Sequence, residues 1–214
     1  MASAPIICYV TDRRALGDDG VPQLLGVIRR AVSAGVGWIQ IREKDMPARA
    51  LLDLAQQAVE AASGGPTKIL INDRLDVAVA AEAAGVHLGG ESAPVAAVKK
   101  WCASRFGNKR PFIVGRSCHS LAEARQAEAD GADYIFFGPV FATPAKLQFG
   151  SPQGIDRLAE VCGGARVPVI AIGGITPENA GECLRAGAAG IAAIRMFQET
   201  ADLDEIIRGI RTAS

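Results

Sequence analysis

The chain has 214 residues, 49% of them apolar and 21% charged, with Lys plus Arg equal to Asp plus Glu at 23 each. That length and apolar content can bury one full-sized core, and the balanced charge excludes a global field for nucleic acid or an acidic membrane surface, so any anion binding must be local. Five cysteines in no CxxC pattern, with no metal-ligand spacing to the two histidines and no apolar stretch as long as a membrane span, read as free thiols of a soluble, cytoplasmic protein without a leader at Met1–Pro5.

The first apolar run, Ile6–Val10, stops at Thr11-Asp12, and a Gly17-Asp18-Asp19-Gly20 turn precedes a helix marked by Leu24, Leu25, Ile28 and Val32. A strand over Trp38–Lys44 follows. Its alternation puts Trp38, Gln40, Arg42 and Lys44 on one face and Ile39, Ile41 and Glu43 on the other. With the isoleucines packed on helices, an amide, a guanidinium and an ammonium line up at the strand's C-terminal end as the outline of an anion site; a solvated edge strand is the competing reading.

The same unit then repeats. A helix through Leu51–Val59 leads to a strand at Lys68–Asp73, a short helix over Leu75–Ala84 to Gly85–Gly89, and a helix over Val95–Phe106 to Phe112–Ser117. Further helices at Leu121–Asp130, Ile155–Cys162 and Pro177–Ala186 precede strands at Tyr134–Pro139, Val167–Gly174 and Gly190–Ile194, and a helix from Leu203 to about Arg211 closes the series. Gly35, Gly85, Gly131 and Gly187 are expected to end helices. Eight strands alternating strictly with helices predict parallel pairing and a single (β/α)8 barrel over residues 1–214, and no GxGxxG opens a helix as an open dinucleotide-binding sheet would require.

In such a barrel the chemistry lies at the C-terminal strand ends. Those ends carry Arg42, Lys44, Arg116 and Arg195, and Lys146 follows in the loop after strand six, so up to five cations are expected around one mouth. Gly173-Gly174 before Thr176-Pro177 fits a backbone phosphate cup or a tight turn. Asp73, beside Asn72, suits either a hard cation such as Mg²⁺ or the cap of the next helix, and for Thr11-Asp12 the cap is favoured. His87, between Val86 and Leu88, reads as a hydrogen-bonded core histidine, while Cys118 and His119 point to opposite faces and form no thiolate–imidazolium pair. With no evident general base, a reaction driven by departure of a good leaving group is favoured.

Taken together, Tyr9-Val10-Thr11-Asp12, Gln40-Ile41-Arg42-Glu43-Lys44, Asn72-Asp73-Arg74, Gly85-Val86-His87-Leu88-Gly89, Gly115-Arg116-Ser117-Cys118-His119, Gly138-Pro139-Val140-Phe141 and Ala171-Ile172-Gly173-Gly174-Ile175 resemble the thiamine-phosphate synthase family, including its thiazole-tautomerase branch. The resemblance implies a transferase in which an aminopyrimidine methyl diphosphate loses pyrophosphate, with Mg²⁺, and a thiazole phosphate captures the pyrimidine cation. It implies Gln40 on the pyrimidine; Arg42, Lys44, Asn72, Ser117 and Lys146 on the pyrophosphate; Asp73 on Mg²⁺; and Thr143 with the backbone of Gly173, Gly174 and Ile194 on the thiazole phosphate. Three positions depart from the family pattern. Ser92 stands where a second metal carboxylate is usual, Ala145 replaces a loop threonine, and Arg195 replaces a small serine, where it can either contact the thiazole phosphate or fill its cup. A tautomerase would carry a histidine after the strand-six glycine, where Pro139 stands, so synthase ranks before tautomerase and before a binding-only barrel. Oligomeric state, including a homo-oligomer, stays open.

Overall fold

The computed structural model describes residues 4–17, 20–107, 110–142 and 152–212. Eight strands, β1 (Ile6–Val10), β2 (Trp38–Ile41), β3 (Lys68–Asn72), β4 (Gly85–Leu88), β5 (Ile113–Cys118), β6 (Tyr134–Phe137), β7 (Val169–Ile172) and β8 (Gly190–Ala193), pair in parallel in sequence order, and β8 returns to β1 to close the barrel. The helices between them are α1 (Gly20–Ser33), α2 (Ala48–Ala61), α3 (Leu75–Ala80), α4 (Val95–Phe106), α5 (Leu121–Ala129), α6 (Gly154–Gly164) and α7 (Pro177–Arg185), followed by a short α8 (Arg195–Gln198) and a final α9 (Leu203–Thr212). The expected (β/α)8 architecture is therefore present.

Strand alternation divides the apolar residues between two cores. Ile7, Tyr9, Ile39, Ile41, Ile69, Ile71 and their counterparts face outward and pack against the buried stripes of the helices, such as Leu24, Ile28 and Ala31 of α1. Cys8, Val10, Leu70, Tyr134, Phe136, Ile170 and Ala192 face inward and, with Trp38 at their edge, fill the barrel. Each fully buried isoleucine contributes about 1.5–3 kcal/mol of transfer free energy, so the outward face of β2 is held firmly enough to fix which side chains look into the lumen. The inner packing stops short of the C-terminal end, and there the lumen becomes polar.

Three expectations change in detail. The strand with the Gln-x-Arg-x-Lys alternation ends at Ile41, and Arg42 to Lys44 run on beyond it. Gly35, Gly131 and Gly187 adopt positive φ at helix ends as anticipated, but Gly85 does not; it opens β4, and Glu82 takes the left-handed position after α3 with φ 56°. Helix α8, one turn long, lies between strand eight and the closing helix, where the sequence pattern predicts no helix. Among the described residues no helix is long and apolar enough to cross a membrane.

Candidate active site

At the C-terminal mouth of the barrel lies a cavity of about 1160 Å³, lined among others by Gln40, Arg42, Lys44, Asn72, Asp73, His87, Ser117, Gly173, Gly174, Ile194 and Arg195. Ten of the twelve residues expected to form the site therefore line one cavity; the other two, Thr143 and Lys146, lie outside the described residues, as does Ala145.

The ends of β1 and β2 are tied by a carboxylate. Glu43, on the face opposite Arg42, is buried and accepts from the Thr11 hydroxyl at 2.6 Å, from the Arg13 backbone N–H at 3.2 Å and from Arg13 Nη1 at 3.1 Å. The Arg42 N–H donates to Thr11 Oγ1 at 2.9 Å, so the backbone that carries Arg42 and Lys44 into the cavity is fixed from behind. Asp12 caps a 3₁₀ turn over Arg13–Leu16 by accepting from the Arg14 N–H, in line with its reading as a cap. Farther out, Arg13 and Arg14 pair with Asp45 and hold its carboxyl well below the usual range.

The cations need one correction. Arg42, Lys44 and Arg195 line the cavity and make no ion pair among the described residues. Arg116 does not line it. Gly115 and Ser117 face the lumen, so Arg116 between them turns outward, and its guanidinium donates to the Gly89 carbonyl at 2.6 Å and the Gly90 carbonyl at 3.3 Å, bracing the loop after β4. Arg195, the first residue of α8, is exposed at the rim of the cavity.

Asp73 is not a helix cap. Arg74 occupies the N-cap position of α3 without a side-chain bond, while Asp73 sits in the left-handed region at φ 61° with its carboxylate turned to the cavity. Its Oδ1 accepts from the Gly89 N–H at 3.0 Å and from the Ser92 hydroxyl, and its Oδ2 from Asn72 Nδ2 at 2.6 Å. Burial on its own would raise the pKa of this group, but those donors and the nearby Lys44 charge outweigh it and hold the carboxyl below its ordinary value.

The ionised carboxylate then sets the direction of a hydrogen-bond chain. A carboxylate only accepts, so Asn72 must present Nδ2 to Asp73 and Oδ1 to its other neighbour, Gln40 Nε2, at 2.8 Å. Gln40 Oε1 is left buried on the cavity wall with no partner among the described residues. An acceptor in that state calls for a donor from a ligand.

On the neighbouring strand His87, the register partner of Asn72, is buried, with Nδ1 2.9 Å from the Tyr134 hydroxyl and Nε2 2.9 Å from Ser117 Oγ. Burial, helped by the Arg116 and Arg42 charges and opposed by Asp73, pushes its pKa down to about 3, so the ring is neutral. His87 is thus the hydrogen-bonded interior histidine expected of it. Cys118 is buried with its thiol pushed up to about 12, and His119 Nδ1 lies 2.5 Å from the Gly138 carbonyl instead, so the two form no nucleophilic pair.

On the far side Gly173 and Gly174 adopt φ 95° and 69° and are packed so closely that a Cβ on Gly174 would lie 2.7 Å from Phe141 Cβ. Asn179 of α7 fastens this turn, accepting from the Thr176 N–H at 2.8 Å and donating to the Gly174 carbonyl at 2.9 Å. The turn after β7 and the one-turn α8 after β8 together have the form of the phosphate-binding corner of many barrels.

Polar chemistry gathered at the C-terminal ends of the strands of a closed parallel barrel is the arrangement of a (β/α)8-barrel enzyme, and its cations and glycine turn are those of one that handles anions. Residues 7–197 match the family described as thiamine monophosphate synthase, and the chain belongs to that family. It is 43% identical to a homologue from Geobacter sulfurreducens, over 98% of this chain and 95% of the other. With the thiamine-phosphate synthase of Moorella thermoacetica it shares 38% identity over 95% of this chain and 93% of that one. The thiamine phosphate pyrophosphorylase of Pyrococcus furiosus superposes with a TM-score of 0.81 at 32% identity, covering 97% of this chain and 95% of that one.

Proposed function

We propose that the protein is a thiamine-phosphate synthase, a transferase that joins 4-amino-2-methyl-5-pyrimidinylmethyl diphosphate to 4-methyl-5-(2-phosphoethyl)thiazole and releases pyrophosphate. The observation that carries the reading is the juxtaposition, within one cavity, of a buried acceptor on Gln40 that has no partner among the described residues with the cations Arg42 and Lys44 and the carboxylate of Asp73. The acceptor suits the exocyclic amine of an aminopyrimidine, and the charges suit the diphosphate attached to it.

The bond between the pyrimidine methylene and the diphosphate oxygen breaks with its electrons leaving on pyrophosphate, and the thiazole nitrogen lone pair forms the new C–N bond. No proton need be abstracted, in keeping with a mouth whose histidines are a neutral buried ring and a ring anchored to a carbonyl. Arg42, Lys44, Asn72 and Ser117, with Lys146 on the resemblance alone, bind the diphosphate and stabilise the charge that grows on it as the bond breaks, a role typically worth 10²–10³ in rate for one donor. Gly173, Gly174 and Ile194 offer backbone to the thiazole phosphate, Thr143 its hydroxyl on the resemblance, and Arg195 a charge from the rim.

The donor set fits Mg²⁺ in one respect: Asp73 is a low-pKa carboxylate beside the diphosphate position, and Mg²⁺ commonly takes one or two protein carboxylates and completes its shell with water and substrate phosphate. Among the described residues no group of three or more His, Cys, Asp or Glu gathers to hold a metal, and Glu91 is exposed and outside the cavity lining, so Asp73 would be the principal protein ligand. When bound, the ion would neutralise charge on the departing pyrophosphate. The five cysteines are all free, which supports a reducing, cytoplasmic setting.

Turnover by Lys44→Ala and Asp73→Ala tests the assignment. Each should fall by about 100-fold or more if these groups stabilise the leaving pyrophosphate, and a near-normal rate in either would contradict its role. Pro139, not a titratable residue, stands where the tautomerase reading needs its histidine, so that reading gains nothing from the site.

A further inference from the structure

We propose that Tyr134 and His87 form a relay of fixed hydrogen-bond direction that turns the Ser117 hydroxyl proton toward the cavity, making both of them positioning residues for the leaving group. The proposal rests on the pyrophosphate role of Ser117 given above.

The argument is a count of donors. The Tyr134 hydroxyl is buried inside the barrel in an aromatic layer with Trp38 (ring centroids 4.7 Å apart), Phe136 (5.4 Å) and His87 (5.6 Å). Burial raises the pKa of this phenol well above its usual 10, so it keeps its proton. A buried O–H must donate, and its hydrogen-bond partner here is His87 Nδ1, 2.9 Å away. Nδ1 is then the accepting nitrogen, the ring proton lies on Nε2, and Nε2 donates to Ser117 Oγ at 2.9 Å. With that lone pair occupied, the hydroxyl proton of Ser117 points away from the histidine, into the cavity. The opposite tautomer would strand the phenol proton in the barrel and draw the Ser117 proton onto Nε2, leaving the serine unable to donate to a ligand. No proton is transferred along the relay; it only sets orientation, so the leaving pyrophosphate meets a donor already aimed at it.

The layout explains a glycine that the mouth does not use directly. A Cβ on Gly115 would lie 2.1 Å from Tyr134 Cζ and 2.5 Å from its hydroxyl, so the tyrosine reaches His87 only because β5 has no side chain there. Three neighbouring strands, β4, β5 and β6, thus each supply one part of the relay.

The test begins with the intact wild-type enzyme, ¹⁵N-labelled, in long-range ¹H–¹⁵N correlation spectra of its two histidines. His87 should show a proton on Nε2 and none on Nδ1. His119, whose Nδ1 faces the Gly138 carbonyl, should show the reverse and serves as an internal contrast. Kinetically, Tyr134→Phe should lower kcat by about tenfold, the scale of one misdirected hydrogen bond, with KM for the thiazole phosphate unchanged, and should add little when Ser117→Ala is already present. A proton on His87 Nδ1 in the wild type, or equal losses from Tyr134→Phe with and without Ser117→Ala, would overturn the relay. A fully active Ser117→Ala enzyme with the Nε2–H tautomer intact would instead overturn the pyrophosphate role of Ser117, and with it the relay's purpose.

Discussion

Replacing Asp73 by Asn keeps the shape of the side chain and reverses the logic of three residues. The carboxylate accepts from Gly89 N–H, Ser92 and Asn72 Nδ2. An amide whose oxygen stays with Gly89 and Ser92 places its NH₂ against Asn72 Nδ2, donor to donor across 2.6 Å. Relief requires the amides of Asn72 and Gln40 both to turn over, which presents Gln40 Nε2 on the cavity wall where Oε1 stands unpartnered. The loss of a hydrogen bond to a charged group costs about 1.5–3 kcal/mol of stability at neutral pH. Because the folded pKa of Asp73 lies below the ordinary 3.8, its contribution is complete above that value and is lost as pH falls through the folded pKa, so the stability difference between wild type and variant should begin to shrink as pH drops below 3.8 and vanish only below the folded pKa. The kinetic loss should be larger, about 100-fold or more in kcat/KM, since the charge beside the diphosphate is gone. The assay is urea unfolding at pH 7 and pH 3, with kcat/KM for the aminopyrimidine diphosphate and its oxo analogue. Wild type should favour the amine and the variant should lose much of that preference; kcat/KM within about threefold of wild type, with the preference intact, would refute the reasoning.

Other outcomes follow from the same geometry. Glu43→Gln should destabilise by about 1.5–3 kcal/mol, or roughly 3–12 °C in Tm, because it removes the buried charge that accepts from Thr11 and Arg13 behind the Arg42 backbone. Thermal unfolding by circular dichroism reads this. Gly174→Ala forces a left-handed alanine and a 2.7 Å contact with Phe141, and should raise KM for the thiazole phosphate about tenfold while kcat changes little. Arg195→Ala should raise the same KM by about threefold at low salt and by less at high salt, because an exposed charge is screened. An effect of Arg195→Ala that is independent of ionic strength would contradict its placement at the rim.

The fold was legible because each unit carries its own periodicity. Helix α4 falls where its pattern puts it, and the alternation over β2 separates Ile39 and Ile41, packed on helices, from Gln40, Arg42 and Lys44 at the mouth. The same rule applied to β5 turns Arg116 away from the lumen, so a cation at a strand end is not a site residue until its parity is known. Helix α8 has four residues, too few for any period to show. Glu43 reads as an outward charge because its partner Thr11 lies 32 residues earlier in the chain. His87 reads as an interior histidine from its apolar neighbours, but its contact with Ser117 depends on closure of the barrel from β4 to β6. Between metal ligand and helix cap, the local sequence of Asp73 does not decide; its left-handed backbone and its bond to Gly89, 16 residues on, do.

The central claim is most directly tested by incubating the purified protein with the aminopyrimidine methyl diphosphate, the thiazole phosphate and Mg²⁺ while following both products. The account predicts pyrophosphate and thiamine phosphate formed in equal amounts. Absence of both, with thiazole phosphate still raising the melting temperature, would contradict it and leave a barrel that binds but does not join.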